Sequence, residues 1–320
     1  MNRRTFLKQA STVAMMASMG CAVAEDAALP TVKVPMKSGE SLVAELYESL
    51  NEKQKKSLCF AFDHPLRSEV DNNWNIVDDT VEKAFDKDQQ EMIRQIFMSL
   101  HSEEYAQKVF DQVAEDHGAE GLGDCSVALF GMPKEKFEFV LTGRHVTRRC
   151  DGNSVEGSAF GGPLFYGHAT KGKEKKDHKG NAYWYQSKTA NQVFQALDGK
   201  QRKIALCAQA PRREQKAATV KLRKEGFPGI ACSSLSKDQK GLVSSSLADM
   251  LALFRKQDVT EAKKLIESAG GVDALHMAFY GQKYDIGKDE VWDVWQVEGP
   301  NMIWFFRGYP HVHAWIHIKA

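Results

Sequence analysis

The short signatures of the common enzyme classes are missing from this sequence. It has no G-x-S-x-G elbow, no G-x-x-x-x-G-K loop, no H-E-x-x-H and no G-x-G-x-x-G, which sets aside the usual serine hydrolases, P-loop phosphotransferases, zincins and dinucleotide dehydrogenases. None of its six cysteines stands in a C-x-x-C pair, the spacing that cysteine-built zinc sites usually show. Beyond residue 24 no apolar run approaches the ~20 residues of a bilayer-spanning helix, so no stable membrane span is expected in the mature chain. Neither sign of charge dominates: 43 Lys and Arg face 42 Asp and Glu, a formal net charge of +1. A polyanion finds no excess of cations there, and no nucleic-acid partner is expected.

What is present begins at the N-terminus. Residues 1–8 read M-N-R-R-T-F-L-K, in which Arg3 and Arg4 ahead of Phe6, Leu7 and Lys8 match a twin-arginine export signal. An apolar stretch over 10–20, too short to span a bilayer, leads to the small residues Ala22-Val23-Ala24 of a cleavage site. Segment 1–24 therefore reads as a signal peptide handled by the twin-arginine export machinery, with the folded product expected in the periplasm or outside the cell. Cys21 follows Ser18-Met19-Gly20, a poor lipobox, so cleavage after Ala24 is favoured over a lipid anchor. Losing Arg3, Arg4 and Lys8 with the leader takes the net charge from +1 to −2. The composition, 42% hydrophobic and 10% aromatic, is that of a globular protein. The five remaining cysteines, in an oxidising compartment, are expected to form one or two bridges and leave a buried thiol over.

After a mobile lead-in over 25–40, a single α+β domain is expected over 41–320, helical to about 120 and rich in β-structure afterwards. Leu42, Leu46, Leu50 and Leu58 recur near the helical period in 41–47 and 51–62. Three starts share one pattern: Asn51 to Gln54, Asp86 to Gln89 and Ser236 to Gln239 each set a capping side chain three residues before a glutamine. These mark helix N-termini and are not read as a repeat. Helices follow over 86–100 and from 102; later ones are expected over 191–197, 236–254 and 260–269. Strands are expected over 127–130, 137–146, 160–166 and 203–208, and the charged run 171–180 reads as a solvated loop. Segments 291–298, 302–307 and 311–318, joined by Gly299-Pro300 and Gly308-Tyr309-Pro310, read as a C-terminal antiparallel β-meander.

In that last strand Val312, Ala314, Ile316 and Ile318 alternate with His311, His313, Trp315 and His317. Strand period two puts the apolar set toward the core and three imidazoles on the other face. Two histidines at i and i+2 lie close enough to meet one metal ion, and a third ligand from a neighbouring strand would complete a facial site for zinc, iron or copper. The alternative is a polar face of merely exposed or hydrogen-bonded rings. His145, His168 and the group Asp63, His64 and Arg67 are scattered further candidates.

The order of short motifs resembles the secreted family catalogued as domain of unknown function 3500. F-D-H-P-L-R with Asn73-Trp74 is similar to its Phe-Asp…Arg…Asn-Trp element, F-G-M-P then G-R-H-V to its F-G-x-P…G-H-H stretch, G-G-P-L-F-Y-G-H-A to P-x-F-x-G-x-x-P, and G-P…H-V-H to its closing G-P…H-x-H. The resemblance aligns His145, His311 and His313 with family histidines and implies that the three share one site. Arg144 replaces a family histidine, no proline follows Ala169, and the Arg-Asp-Pro after the last pair is missing.

Two functions are thus open. In the first, a metal-dependent hydrolase or oxidoreductase holds its ion through His145, His311 and His313 and pairs Arg67 or Arg144 with an anionic group of a small-molecule or glycan substrate. In the second, a non-catalytic extracytoplasmic binding or scaffold protein lines a groove for a sugar or peptide with Trp74, Trp184 and Trp315.

Overall fold

The computed structural model describes residues 37–118, 121–169, 181–208, 220–281 and 291–320. The expected signal peptide with Cys21, residues 25–36 of the lead-in and the charged run 171–180 lie outside the described residues. Met36–Ala320 form one compact unit, and no described helix is long and apolar enough to cross a membrane.

All three expected capping boxes form. Asn51, Asp86 and Ser236 each accept from the amide of their glutamine, whose side chain answers to the cap amide, and so open α2 (Glu52–Leu58), α4 (Lys87–Ser99) and α8 (Lys237–Leu251). A fourth, Asp198 with Gln201, opens α7 (Gly199–Ala205). That box overrides the buried strand expected over 203–208: the segment is helical to Ala205, Ile204 is 58% exposed, and only Leu206–Cys207 extend, as β6. The helix expected over 51–62 likewise stops at Leu58, because Cys59–Phe60 (β1) pair in parallel with β2 (Ser126–Gly131). The remaining α-helices among the described residues are α1 (Gly39–Ser49), α3 (Val81–Ala84), α5 (Ala106–His117), α6 (Tyr185–Ala196) and α9 (Lys256–Ser268).

The other strands are β3 (Phe137–Gly143), β4 (Val146–Cys150), β5 (Leu164–His168), β7 (Ile230–Ala231), β8 (His276–Tyr280), β9 (Val294–Gly299), β10 (Met302–Arg307) and β11 (Val312–Ile318). They build one mixed sheet in the order β1-β2-β3-β4-β5-β11-β10-β9-β8-β6, with β7 on β8. The architecture is α+β, with a helical N-terminal third and the C-terminal meander β9-β10-β11. The expected single strand over 137–146 is instead a hairpin: Gly143 pairs with Val146, and Arg144 and His145 form the turn. One sheet face packs on the helices in the main core. The other carries two smaller apolar clusters, around Phe165, Phe305 and Trp315 and around Ala128, Phe130 and Val140, covered by Val70, Ile76 and Val220. The alternation in β11 holds, since Val312, Ala314, Ile316 and Ile318 belong to the main core and Trp315 to the opposite face.

The two halves of the sheet repeat one plan. Cys59 pairs with Leu129 as Leu206 does with Phe279, Ser126 with Thr142 as His276 with Glu298, and Gly143 with Val146 as Gly299 with Met302. The four capping boxes fall into two matching pairs: the side chains of Gln54 and Gln89 bond each other, and so do those of Gln201 and Gln239. At the junction the relation is reciprocal, Ser102 donating to Leu253 and Arg255 to Leu100. The capping signature is therefore one mark of an internal repeat, contrary to its reading as mere helix starts. Little else of the repeat survives in the side chains, because register is a property of backbone pairing.

The expected disulfides do not form. Cys59, Cys125, Cys150, Cys207 and Cys232 are all free thiols. Burial pushes Cys59 up to about 11 and Cys232 to about 12, with Cys125 and Cys150 raised further, so these are inert core groups.

Candidate metal centre

His145 sits in the β3–β4 turn with φ of 59°, a left-handed conformation that histidine tolerates better than most side chains. Its backbone is pinned on both sides, its amide donating to Asn72 O and its carbonyl accepting from Gly167, each at 3.0 Å. Trp74 braces the same turn by donating to Thr147 Oγ1 at 3.1 Å. Between His145 and β11 runs β5, and there Gly167 is required: a Cβ would lie 2.3 Å from Val312 O and 3.2 Å from the His313 ring. The missing side chain lets His145 reach across to β11.

The three rings converge. Centroids lie 4.9 Å apart for His145 with either partner and 4.6 Å for His311 with His313, and one nitrogen from each falls within 4.8 Å of the other two. The His311 and His313 Nε2 atoms are 2.9 Å apart, so two lone pairs face each other unless a proton or a cation lies between them. Burial first, then His313, His145 and the Arg307 guanidinium, push His311 down to about 3; it is a neutral donor at ordinary pH, the state a metal requires. Phe165 stands edge-on to His313 at 5.1 Å.

Behind the rings is a carboxylate that the sequence reading missed. Asp116, near the end of α5, accepts from His145 Nδ1 at 3.0 Å, which fixes the tautomer and turns His145 Nε2 toward the other rings. Asp116 also lies 3.3 Å from His168 Nδ1 and accepts the Ala169 amide at 3.0 Å, and these partners hold its carboxyl well below the usual range against the opposing effect of burial. His168 Nε2 is 3.8 Å from Glu115. Arg307, opposite His313 in the register, points its guanidinium toward His311 O at 3.5 Å. No spacing rule links Asp116 or Arg307 to the histidines; only the position of His168 beside Gly167 offered a cue.

The two expected substrate arginines part company. Arg67 is held by Glu138 at 2.9 Å, by Phe62 O at 2.6 Å and by the Phe62 ring, none of them part of the histidine cluster. Arg144 is exposed beside His145, its amide bonded to His117 Nε2. The groove of three tryptophans is not formed, since Trp184, Trp315 and Trp74 pack in three different apolar clusters.

Residues 33–319 match the family described as Protein of unknown function (DUF3500). The chain belongs to this family. No curated protein and no solved structure matches it. In this DUF3500 chain the motif residues Asn73, Trp74, His145, Gly167, His311 and His313 meet around one turn: Asn73 bridges Arg144, and the others brace, space or form the histidine cluster.

Proposed function

We propose that His145, His311 and His313 bind one divalent transition metal ion, zinc, iron or copper, and that the protein is a metal-dependent enzyme of the hydrolase or oxidoreductase class. The observation that carries this reading is the convergence of three imidazole nitrogens within 4.8 Å, one of them oriented by a buried carboxylate. Three imidazole ligands, with no fourth in the cluster among the described residues, are the set a catalytic metal site uses, because structural sites close all four positions. Bound there, the ion supplies a Lewis acid that polarises a substrate oxygen. Asp116 holds His145 in place, Phe165 excludes water from one side, and exposed Arg144 offers a cation to an anionic substrate group at the rim. Export by the twin-arginine route to the periplasm or beyond belongs to the same reading and rests on Arg3, Arg4 and the short apolar stretch.

Elemental analysis of the purified full chain tests the metal. About one ion per chain, lost in the His145→Ala, His311→Ala, His313→Ala variant, is the expected result. A wild-type chain that takes up no zinc, iron or copper even when refolded with each would overturn the reading.

A further inference from the structure

A cavity of about 510 Å³ lies where β5 begins and β11 ends, at the other end of this strand pair from the histidine cluster. Its size is that of a small-molecule pocket. In the repeat it takes the cluster's place. Gly161 stands as far before Leu164 as His313 before Ile316, and the Lys319 amide meets Asn301 O as the Gly167 amide meets His145 O. Where His313 puts a ring, Gly161 has no side chain. The cavity also gathers what the metal centre leaves unused of two sequence motifs: Arg67 of F-D-H-P-L-R, and Gly161, Gly162 and Pro163 of G-G-P-L-F-Y-G-H-A.

The walls are aliphatic. Val70, Val155, Pro163, Val220 and Leu222 line them, and no Phe, Tyr or Trp does so among the described residues. A base or another flat ring finds nothing to stack on there, whereas an aliphatic chain gains by leaving water. The polar groups are mostly cations and donors. Arg67 uses Nε on Phe62 O and Nη1 on Glu138, at 2.6 and 2.9 Å, and its Nη2 has no acceptor among the described residues. Glu138 is shared with Arg149, so one carboxylate answers two guanidinium groups. Lys221 and Lys319, both exposed, have no carboxylate partner among the described residues, and Glu69 is the one acid among the described lining residues. Ser158, 3% exposed, brings a hydroxyl that makes no hydrogen bond among the described residues. His317 gives Nδ1 to Val220 O at 2.9 Å, which ties that wall to β11; burial holds the ring below its usual range, so it is neutral. Aliphatic walls with an excess of cations complement an anion that has an aliphatic body.

We propose that this cavity is a second ligand site, for a small aliphatic carboxylate whose acid group meets Arg67, Lys221 and Lys319 and whose chain lies along the valine walls. The site is independent of the histidine cluster and is tested with chelator present, so that no bound metal takes the carboxylate. Radiolabelled octanoate is equilibrated by dialysis with the full chain. The expected result is saturable uptake of about one octanoate per chain, with octanol, equally long but uncharged, competing about tenfold less well or worse. Lys221→Gln with Lys319→Gln weakens octanoate binding by about tenfold or more; both side chains are exposed, so the fold survives. Val155→Trp fills the cavity and abolishes uptake; should that variant fail to fold, the lysine variant decides. The triple alanine variant of His145, His311 and His313 takes up octanoate as the wild type does. No saturable uptake, equal affinity for octanol, binding unchanged in the lysine variant, or binding lost with the histidines would overturn the proposal.

Discussion

At the β3–β4 turn the first half of the chain places Arg144 and His145; at the matching β9–β10 turn the second half places Pro300 and Asn301. The scaffold around the two turns is the same. Gly143 and Gly299 precede them, and their carbonyls are met alike, His145 O by the Gly167 amide and Asn301 O by the Lys319 amide. The chemistry is not. Asn301 gives its amide to Leu265 O, and where α5 has Asp116 before the left-handed Gly118, α9 has Ser268 before the left-handed Gly270. Leu164 and Ile316 pair across the junction of the halves, and Gly161 stands as far before the one as His313 before the other. The site is thus asymmetric within a repeated frame: the first half contributes His145 and Asp116, the second His311 and His313, and neither set recurs at the matching positions of the other half.

The largest effect is expected where the halves solve one packing problem differently. In the first, Glu138 and Arg149 form a fully buried ion pair at 2.7 Å, Glu138 also taking Arg67; the matching residues of the second half, Val294 and Phe305, are apolar. Glu138→Leu strands Arg149 and is expected to destabilise by about 3–5 kcal/mol in urea unfolding. Adding Arg149→Phe, after the second half's example, should recover part of that loss, the rest remaining because Arg149 also serves the Pro163 and Glu69 carbonyls.

Next is the junction, where Arg255 occupies the place of Ser102. Arg255 holds Asp258 at 2.9 Å, yet burial, opposed by that pairing, raises the Asp258 carboxyl from 3.8 to about 6. A carboxyl whose folded-state value is raised favours the folded state below the unfolded value and loses that contribution as pH rises through the folded one. Stability should therefore fall between pH 4 and 6 by on the order of 2 kcal/mol from this group, and Asp258→Asn should flatten the slope.

Asp116→Asn, which removes the charge that the second half never had, is expected to weaken metal binding by about 10–100-fold in a competition titration with a chromogenic chelator. Equal affinity would mean that the carboxylate does not orient His145. The smallest effect compares the two glutamine pairs. Gln54 and Gln89 are buried, whereas Gln201 and Gln239 are half-buried. Gln54→Ala should lower stability by about 2 kcal/mol and Gln201→Ala by about 1 kcal/mol or less; equal losses would show that burial does not separate them.

How far the sequence alone reached varies from element to element. The three capping boxes were legible because cap and glutamine satisfy each other within one helical turn, with no help from distant residues. The alternation in β11 was legible for the same local reason, and it named His311 and His313. The fourth box was overlooked beneath a run, Ile204 to Cys207, that reads as strand by composition. Asp116 and Arg307 were invisible, since neither has any fixed spacing from the histidines it serves, and Arg67 was misjudged because its partner Glu138 is distant in sequence.

Capping and the alternation in β11 were thus determined by the sequence itself, because each depends on neighbours a few residues apart. The tertiary structure decided which distant groups meet: that β5 offers a glycine between His145 and His313, that Asp116 backs the site, and that the buried Arg148 meets His101. Those contacts depend on the order in which strands assemble across the sheet, and strand order is set by long-range pairing that no local pattern encodes.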